Sequence, residues 1–407
     1  MFKKVLSLAA ALCMIATMAM PTLAVEELNP EDFDMEYYSR FKDDGISINV
    51  YNWGEYISIG EDGLLDVNQA FTDLTGIEVN YTTFDTNESL YAKLKSGGTN
   101  YDVIIPSDYM IARMIEEDML EKLDFSNIPA SENTMERFRD VSYDPTGEYS
   151  VPYTWGTVGI IYNTTMVDKT VDSWEILWDE DYAGNILMFS NPRDAFGIAQ
   201  KMLGYSQNTE DPDELRECAD LLKEQKPVVQ AYVMDQIFDK MGSGEAAVGP
   251  YYAGDAVTMI ADNPDLDFVV PKEGTNVFID AMCIPKGAPQ KEAAEMYINF
   301  LSEGIVAADN ITYIGYSSPN QAAYDLLDEE VRNSPISYPS DEILARSEQF
   351  LNLSTETNQL MDELWTEILT DSGTVTTWMM PIVLIVLVVL AVILVVLRLR
   401  KRKKESY

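Results

Sequence analysis

The sequence predicts an α/β protein built as two sheet-and-helix lobes, because one switching pattern of apolar residues occurs early in the chain and recurs downstream. From Ile46 to Ile105 the apolar spacing alternates between that of a strand and that of a helix, which implies a parallel sheet. A second series of apolar strands and helices follows from Val158. No tandem repeat or low-complexity stretch interrupts the 407 residues, of which 46% are apolar, so the chain is long enough for one large or two medium cores.

Taken in order, Ile46, Ile48 and Val50 alternate with polar residues up to Trp53, a strand signal. Leu64, Val67, Phe71 and Leu74 then recur at helical spacing, and Gly76 supplies a C-cap. Ile77 to Tyr81 alternates again, Asn87 opens a helix reaching Leu94, and Val103 to Ile105 is a wholly apolar run of the kind buried on both faces of a sheet. Downstream, Val158 to Tyr162, Ile186 to Phe189 and Leu215 to Leu222 form the second series, and Ala293, Met296, Tyr297, Phe300 and Leu301 mark a further amphipathic helix. Ligands of open parallel sheets sit beyond the carboxyl ends of the strands, where Trp53, Ser107 and Asp108 fall.

The two ends read as address and anchor. Lys3 and Lys4 precede the apolar stretch Val5 to Met20, and Ala24 precedes an acidic run, so residues 1–24 are expected to be a signal peptide and 25–45 an acidic lead-in. Cys13 follows Leu12 inside the apolar stretch, which argues against lipid anchoring. Trp378 to Leu397 is uncharged and long enough to span a bilayer, and a basic tail, 398–407, follows at once. Such a cluster stays on the cytoplasmic side, so the expectation is a single-pass transmembrane helix with the folded body outside the cell membrane.

Charge and composition exclude several function classes. The net charge of −40 repels nucleic acid and favours a cationic ligand, although the same charge would also simply keep an exposed protein soluble. The chain has no histidine, which removes Ser-His-Asp and Cys-His catalysis and every histidine-containing zinc site. No catalytic residue, metal site or cofactor is expected. Of the three cysteines, Cys218 and Cys283 fall in a helix-like stretch and an apolar run, and read as buried free thiols.

The stretches Tyr51-Asn52-Trp53-Gly54-Glu55-Tyr56, Asp85-Thr86-Asn87-Glu88, Tyr101 to Tyr109, Val151 to Gly156, Asn191-Pro192-Arg193-Asp194, Pro271 to Gly274 and Ile314 to Asn320 resemble, in order, motifs of the bacterial spermidine/putrescine-binding proteins. The resemblance covers residues 46–371. It implies a type II periplasmic-binding-protein fold, with lobe one at 46–156 and 280–325, lobe two at 157–279 and 326–372, and a hinge near Thr154 to Thr157. It also implies an extracytoplasmic solute-binding protein that captures a polyamine and delivers it to the permease subunits of an ABC transporter. Carried over by position, the ligand contacts fall on Trp53, Gly54, Tyr56, Ser107, Tyr109, Asn191, Asp194, Tyr252, Phe278, Asp280, Tyr316 and Leu351. Five of these depart from the family pattern: Gly54 replaces a hydroxyl residue, Asn191 an acid, Tyr252 and Phe278 tryptophans, and Leu351 a glutamine.

The chemistry of a polyamine suits such a set independently. Its ammonium groups call for carboxylates and its methylene chain for aromatic faces. Asp194 and Asp280 would be the anionic partners, with Trp53, Tyr56, Tyr109, Tyr252, Phe278 and Tyr316 as walls. Asp280 is surrounded by apolar residues, and a buried carboxylate needs a partner, either a ligand or a structural arginine. Asp194 could instead pair with Arg193 on the surface. Aromatic walls with carboxylates also suit another small organic cation or a sugar, and diamine and triamine stay open as choices.

Overall fold

The computed structural model describes residues 28–61, 63–97 and 100–370. The expected signal peptide, membrane helix and basic tail lie outside these residues. Among the described residues no helix is long and apolar enough to cross a membrane.

The first strand, β1 (Ser47–Trp53), pairs in parallel with β2 (Glu78–Phe84) and with β3 (Val103–Ile104), as the alternating pattern predicts. The helix between β1 and β2 runs Val67–Thr75. Asp66 caps it by accepting from the Gln69 amide at 3.0 Å, and Gly76 closes it in a left-handed conformation at φ 75. Leu64 therefore lies in the preceding loop rather than in the helix, because the capping aspartate comes after it.

The remaining strands are β4 (Ser150–Asn163), β5 (Ile186–Phe189), β6 (Val229–Val233), β7 (Val248–Tyr252), β8 (Leu266–Val269) and β9 (Val277–Cys283). The order across the sheet is β2-β1-β3-β9-β4-β7-β5-β6, with β8 also on β4. The sheet is mixed rather than wholly parallel. β9 runs antiparallel to β3 and β4, and β4 runs antiparallel to β7 and β8. The long β4 joins two half-sheets. Ser150 to Thr157 pairs with β9, and Val158 to Asn163 pairs with β7 and β8. The apolar run Val158 to Tyr162 is thus the second half of a single 14-residue strand.

Gly156 sits where the pairing changes partners. A Cβ there would lie 2.9 Å from Cζ of Phe278, so the missing side chain makes room for that ring. The lead-in is docked on the body: Tyr38 is buried and its hydroxyl donates to Glu303 Oε1 at 2.8 Å. Cys218 and Cys283 are buried and free, as their surroundings predict.

Candidate ligand-binding site

Where the two half-sheets meet, a cleft of about 550 Å³, counting the space open to solvent, collects residues from both. Ten of the expected contacts line it: Trp53, Gly54, Tyr56, Ser107, Tyr109, Asp194, Tyr252, Phe278, Asp280 and Tyr316. They lie at strand ends and in the turns that follow. Trp53 ends β1, Ser107 precedes the helix Asp108–Glu116, and Tyr252 ends β7.

On the first half-sheet, Asp280 sits in β9 opposite Thr154 and bridges to Ser107. Its Oδ2 accepts from the Tyr56 hydroxyl at 2.6 Å, and that hydroxyl also shares a hydrogen bond with Thr154 Oγ1. Its Oδ1 is buried and takes no hydrogen bond of good geometry, although the Ser107 hydroxyl comes close enough to the carboxylate to lower its pKa. Burial pushes its carboxyl up to about 6. Ser107 is held by Asn87 through two hydrogen bonds of 3.0 Å, so its hydroxyl is oriented instead of capping its own helix. Asp108, next to it, is fully buried, accepts from Gln349 Nε2 at 2.8 Å and the Ile279 amide at 3.2 Å, and is raised by burial to about 7. Tyr109 donates to Glu88 Oε1 at 2.9 Å.

On the second half-sheet, Asn191 caps the helix Pro192–Leu203 and does not line the cleft. It accepts from the Arg193 amide at 2.9 Å and donates to Asp194 Oδ2 at 2.7 Å, so it fixes the acid rather than facing the space. Tyr252 donates to the same oxygen at 2.8 Å. Burial raises Asp194 to about 7.

The surface ion pair between Arg193 and Asp194 that the sequence left open is not formed. Both residues are buried. Arg193 donates to Gln207 O at 2.8 Å, Asn208 Oδ1 at 3.0 Å and Leu351 O at 3.3 Å, and its guanidinium stacks 4.1 Å from the centre of the Phe350 ring. Leu351 offers only backbone groups, this carbonyl and an amide that donates to Asn208 Oδ1 at 2.8 Å. The residue is 48% exposed and stays out of the cleft, while the neighbouring Phe350 lines it.

Sequence reasoning missed two acids. Asp255 accepts from the Tyr316 hydroxyl at 2.8 Å, and Asp235 accepts from the Tyr251 hydroxyl at 3.1 Å; both line the cleft. Burial raises both above the usual carboxylate range, and at Asp255 the neighbouring carboxylates of Asp235, Glu55 and Asp280 push further in the same direction. Asp255 lies in the first turn of the helix Ala253–Asp262, which starts immediately after β7, a position that the strand-end rule could have found. The absent side chain of Gly254 lets the Tyr316 ring lie on the backbone, since a Cβ would fall 2.1 Å from Tyr316 Cδ2. The result is a narrow slot walled by rings, with four aspartates each hydrogen-bonded by a tyrosine.

Residues 67–339 match the family described as bacterial extracellular solute-binding protein. The chain belongs to that family. The spermidine/putrescine-binding periplasmic protein of Escherichia coli (strain K12) is 38% identical over 308 residues, covering 75% of this chain and 87% of that protein. A solved structure from Listeria monocytogenes, a putative spermidine/putrescine ABC transporter, is 38% identical with a TM-score of 0.76, covering 80% of this chain and 99% of that one. The spermidine/putrescine ABC transporter substrate-binding protein PotD from Streptococcus pneumoniae, in complex with calcium and HEPES, is also 38% identical, with a TM-score of 0.67 over 79% of this chain and 98% of that one. The resemblance read from the ordered motifs is borne out, and the mixed α/β fold is that of solute-binding proteins.

Proposed function

We propose that this solute-binding protein captures a polyamine, spermidine or putrescine, and presents it to the permease subunits of an ABC importer. The observation that carries this reading is the buried Oδ1 of Asp280, which lacks a well-formed hydrogen bond, in a slot lined by four further aspartates. A buried acceptor without a donor is costly, and an ammonium group is the donor that would satisfy it while offsetting the charge. Arg193 makes its hydrogen bonds to Gln207, Asn208 and Leu351 and none to these carboxylates, so only its field, and no direct ion pair, acts on Asp194. A neutral sugar would leave them uncompensated. The rings of Trp53, Tyr252, Phe278 and Tyr316 suit the methylene chain and supply cation-π contacts.

Micromolar binding corresponds to about 8 kcal/mol. Charge-assisted hydrogen bonds of about 1.5–3 kcal/mol and cation-π contacts of about 0.5–2 kcal/mol reach that together. No chemical step is involved. Residues 46–156 with 280–325, and 157–279 with 326–372, would move as lobes about β4 near Thr154 to Thr157, and closing on the ligand would create the surface that a permease reads.

The uncharged stretch Trp378 to Leu397 with its basic flank would tether the body to the outer face of the cell membrane. Fractionating cells that express the full chain checks this, and recovery in the soluble fraction would refute the tether. For the ligand, native mass spectrometry of the purified chain should show a bound mass equal to that of a polyamine. A hexose mass in its place would overturn the reading.

A further inference from the structure

We infer that Asp235 is a cation-binding carboxylate of the cleft and that Gly54 is the residue that admits it, so the two together set which amines the slot accepts. The inference rests on the cationic-ligand reading above and names a further contact within that site.

Gly54 follows β1 on one half-sheet and Asp235 follows β6 on the other, yet a Cβ on Gly54 would lie 2.2 Å from Asp235 Oδ2. A residue with a hydroxyl side chain, which the family pattern places here, would occupy the space that the carboxylate now fills. Asp235 precedes the helix Gln236–Gly242, where an aspartate ordinarily accepts from the first amides of the helix. Its side chain makes no such bond. It turns instead into the cleft, where Oδ1 takes the Tyr251 hydroxyl and Oδ2 lies over Gly54.

A carboxylate that exchanges its local amide partners for one tyrosine hydroxyl and sits partly buried among other acids is held there at an electrostatic cost in the empty slot. Asp235 and Asp255 stand together at one end of the cleft, where their repulsion favours protonation in the empty slot and a bound cation would favour the ionised pair. The buried Oδ1 of Asp280, which lacks a well-formed hydrogen bond, marks the same slot as built for a donor.

The pairing makes a specific prediction about coupling. Gly54→Ala should displace the Asp235 side chain, which is the flexible end of a single residue, without disturbing the fold. Its effect on binding should therefore be the effect of losing Asp235. Isothermal titration with putrescine and spermidine is expected to show Asp235→Asn weakening the preferred polyamine about tenfold or more, Gly54→Ala weakening it by a similar factor, and the double variant lying within about threefold of either single one. Thermal melts of each variant verify folding, and should Gly54→Ala not fold, Asp235→Asn decides by itself. Unchanged affinity in Asp235→Asn, or losses that multiply in the double variant, would overturn the inference while leaving polyamine capture standing. Failure of the unsubstituted chain to bind either polyamine would instead remove the reading on which the inference rests.

Discussion

Tyr56 donates to Asp280 Oδ2 at 2.6 Å from the loop after β1, while Oδ1 of the same carboxylate is left buried without a well-formed hydrogen bond. The hydroxyl fixes one oxygen and so orients the other. Removing the charge should therefore cost more than removing the hydroxyl. Asp280→Asn is expected to weaken polyamine binding by about 2–5 kcal/mol, and Tyr56→Phe by about 1 kcal/mol. Calorimetry on both variants checks this, and equal losses would contradict the assigned roles.

Protonation should oppose binding. Burial raises Asp280 to about 6 and Asp194 to about 7, so both bind protons in the folded protein at a pH where the unfolded chain has released them. The ligand-free protein should then lose stability as pH rises from about 4 to about 7, because the folded state must give up protons it holds more tightly. Polyamine affinity should rise over the upper part of the same window as the carboxylates ionise. Thermal melts and titrations between pH 5 and pH 8 read both trends, and Asp194→Asn should flatten them.

Arg193 should be structural. It is buried and joins Gln207, Asn208 and Leu351, which ties the segment containing Phe350 to the helix Pro192–Leu203. Arg193→Met is expected to cost about 3–5 kcal/mol of stability, since bonds to a charged donor are lost and their acceptors left buried. Chemical denaturation measures it. A stability equal to that of the unsubstituted chain would show that these bonds contribute little.

Gly156→Ala should destabilise the chain by about 1–3 kcal/mol, because the added methyl meets the Phe278 ring at a tightly packed crossing. Combining it with Phe278→Leu should recover part of the loss in a melting experiment. No recovery would mean that the glycine serves the backbone rather than the ring.

The order of strands and helices up to Ile105 was legible because each carries its own period, and the strand ends that bear Trp53 and Ser107 followed from it. The antiparallel crossing of β4 and β9 was not, because an apolar run such as Val158 to Tyr162 reads the same in either direction. Ten expected contacts surround the cleft, which the ordered motifs made legible. Asn191 turned out to hold Asp194, because its amide caps a helix whose third residue is that acid, and spacing alone does not show which way a cap points. Leu351 and Phe350 exchanged places for a similar reason: in an extended segment one residue of shift reverses the face. Asp235 was hidden because its approach to Gly54 joins residues far apart in sequence.

The central claim is that carboxylates in a ring-walled slot select a flexible cation by its charges, and titrating the purified full chain with putrescine, spermidine and uncharged 1,4-butanediol tests it most directly. The account predicts a dissociation constant of about micromolar or tighter for at least one polyamine and no measurable heat of binding for the diol. Equal affinity for the diol, or no binding of either polyamine, would contradict it.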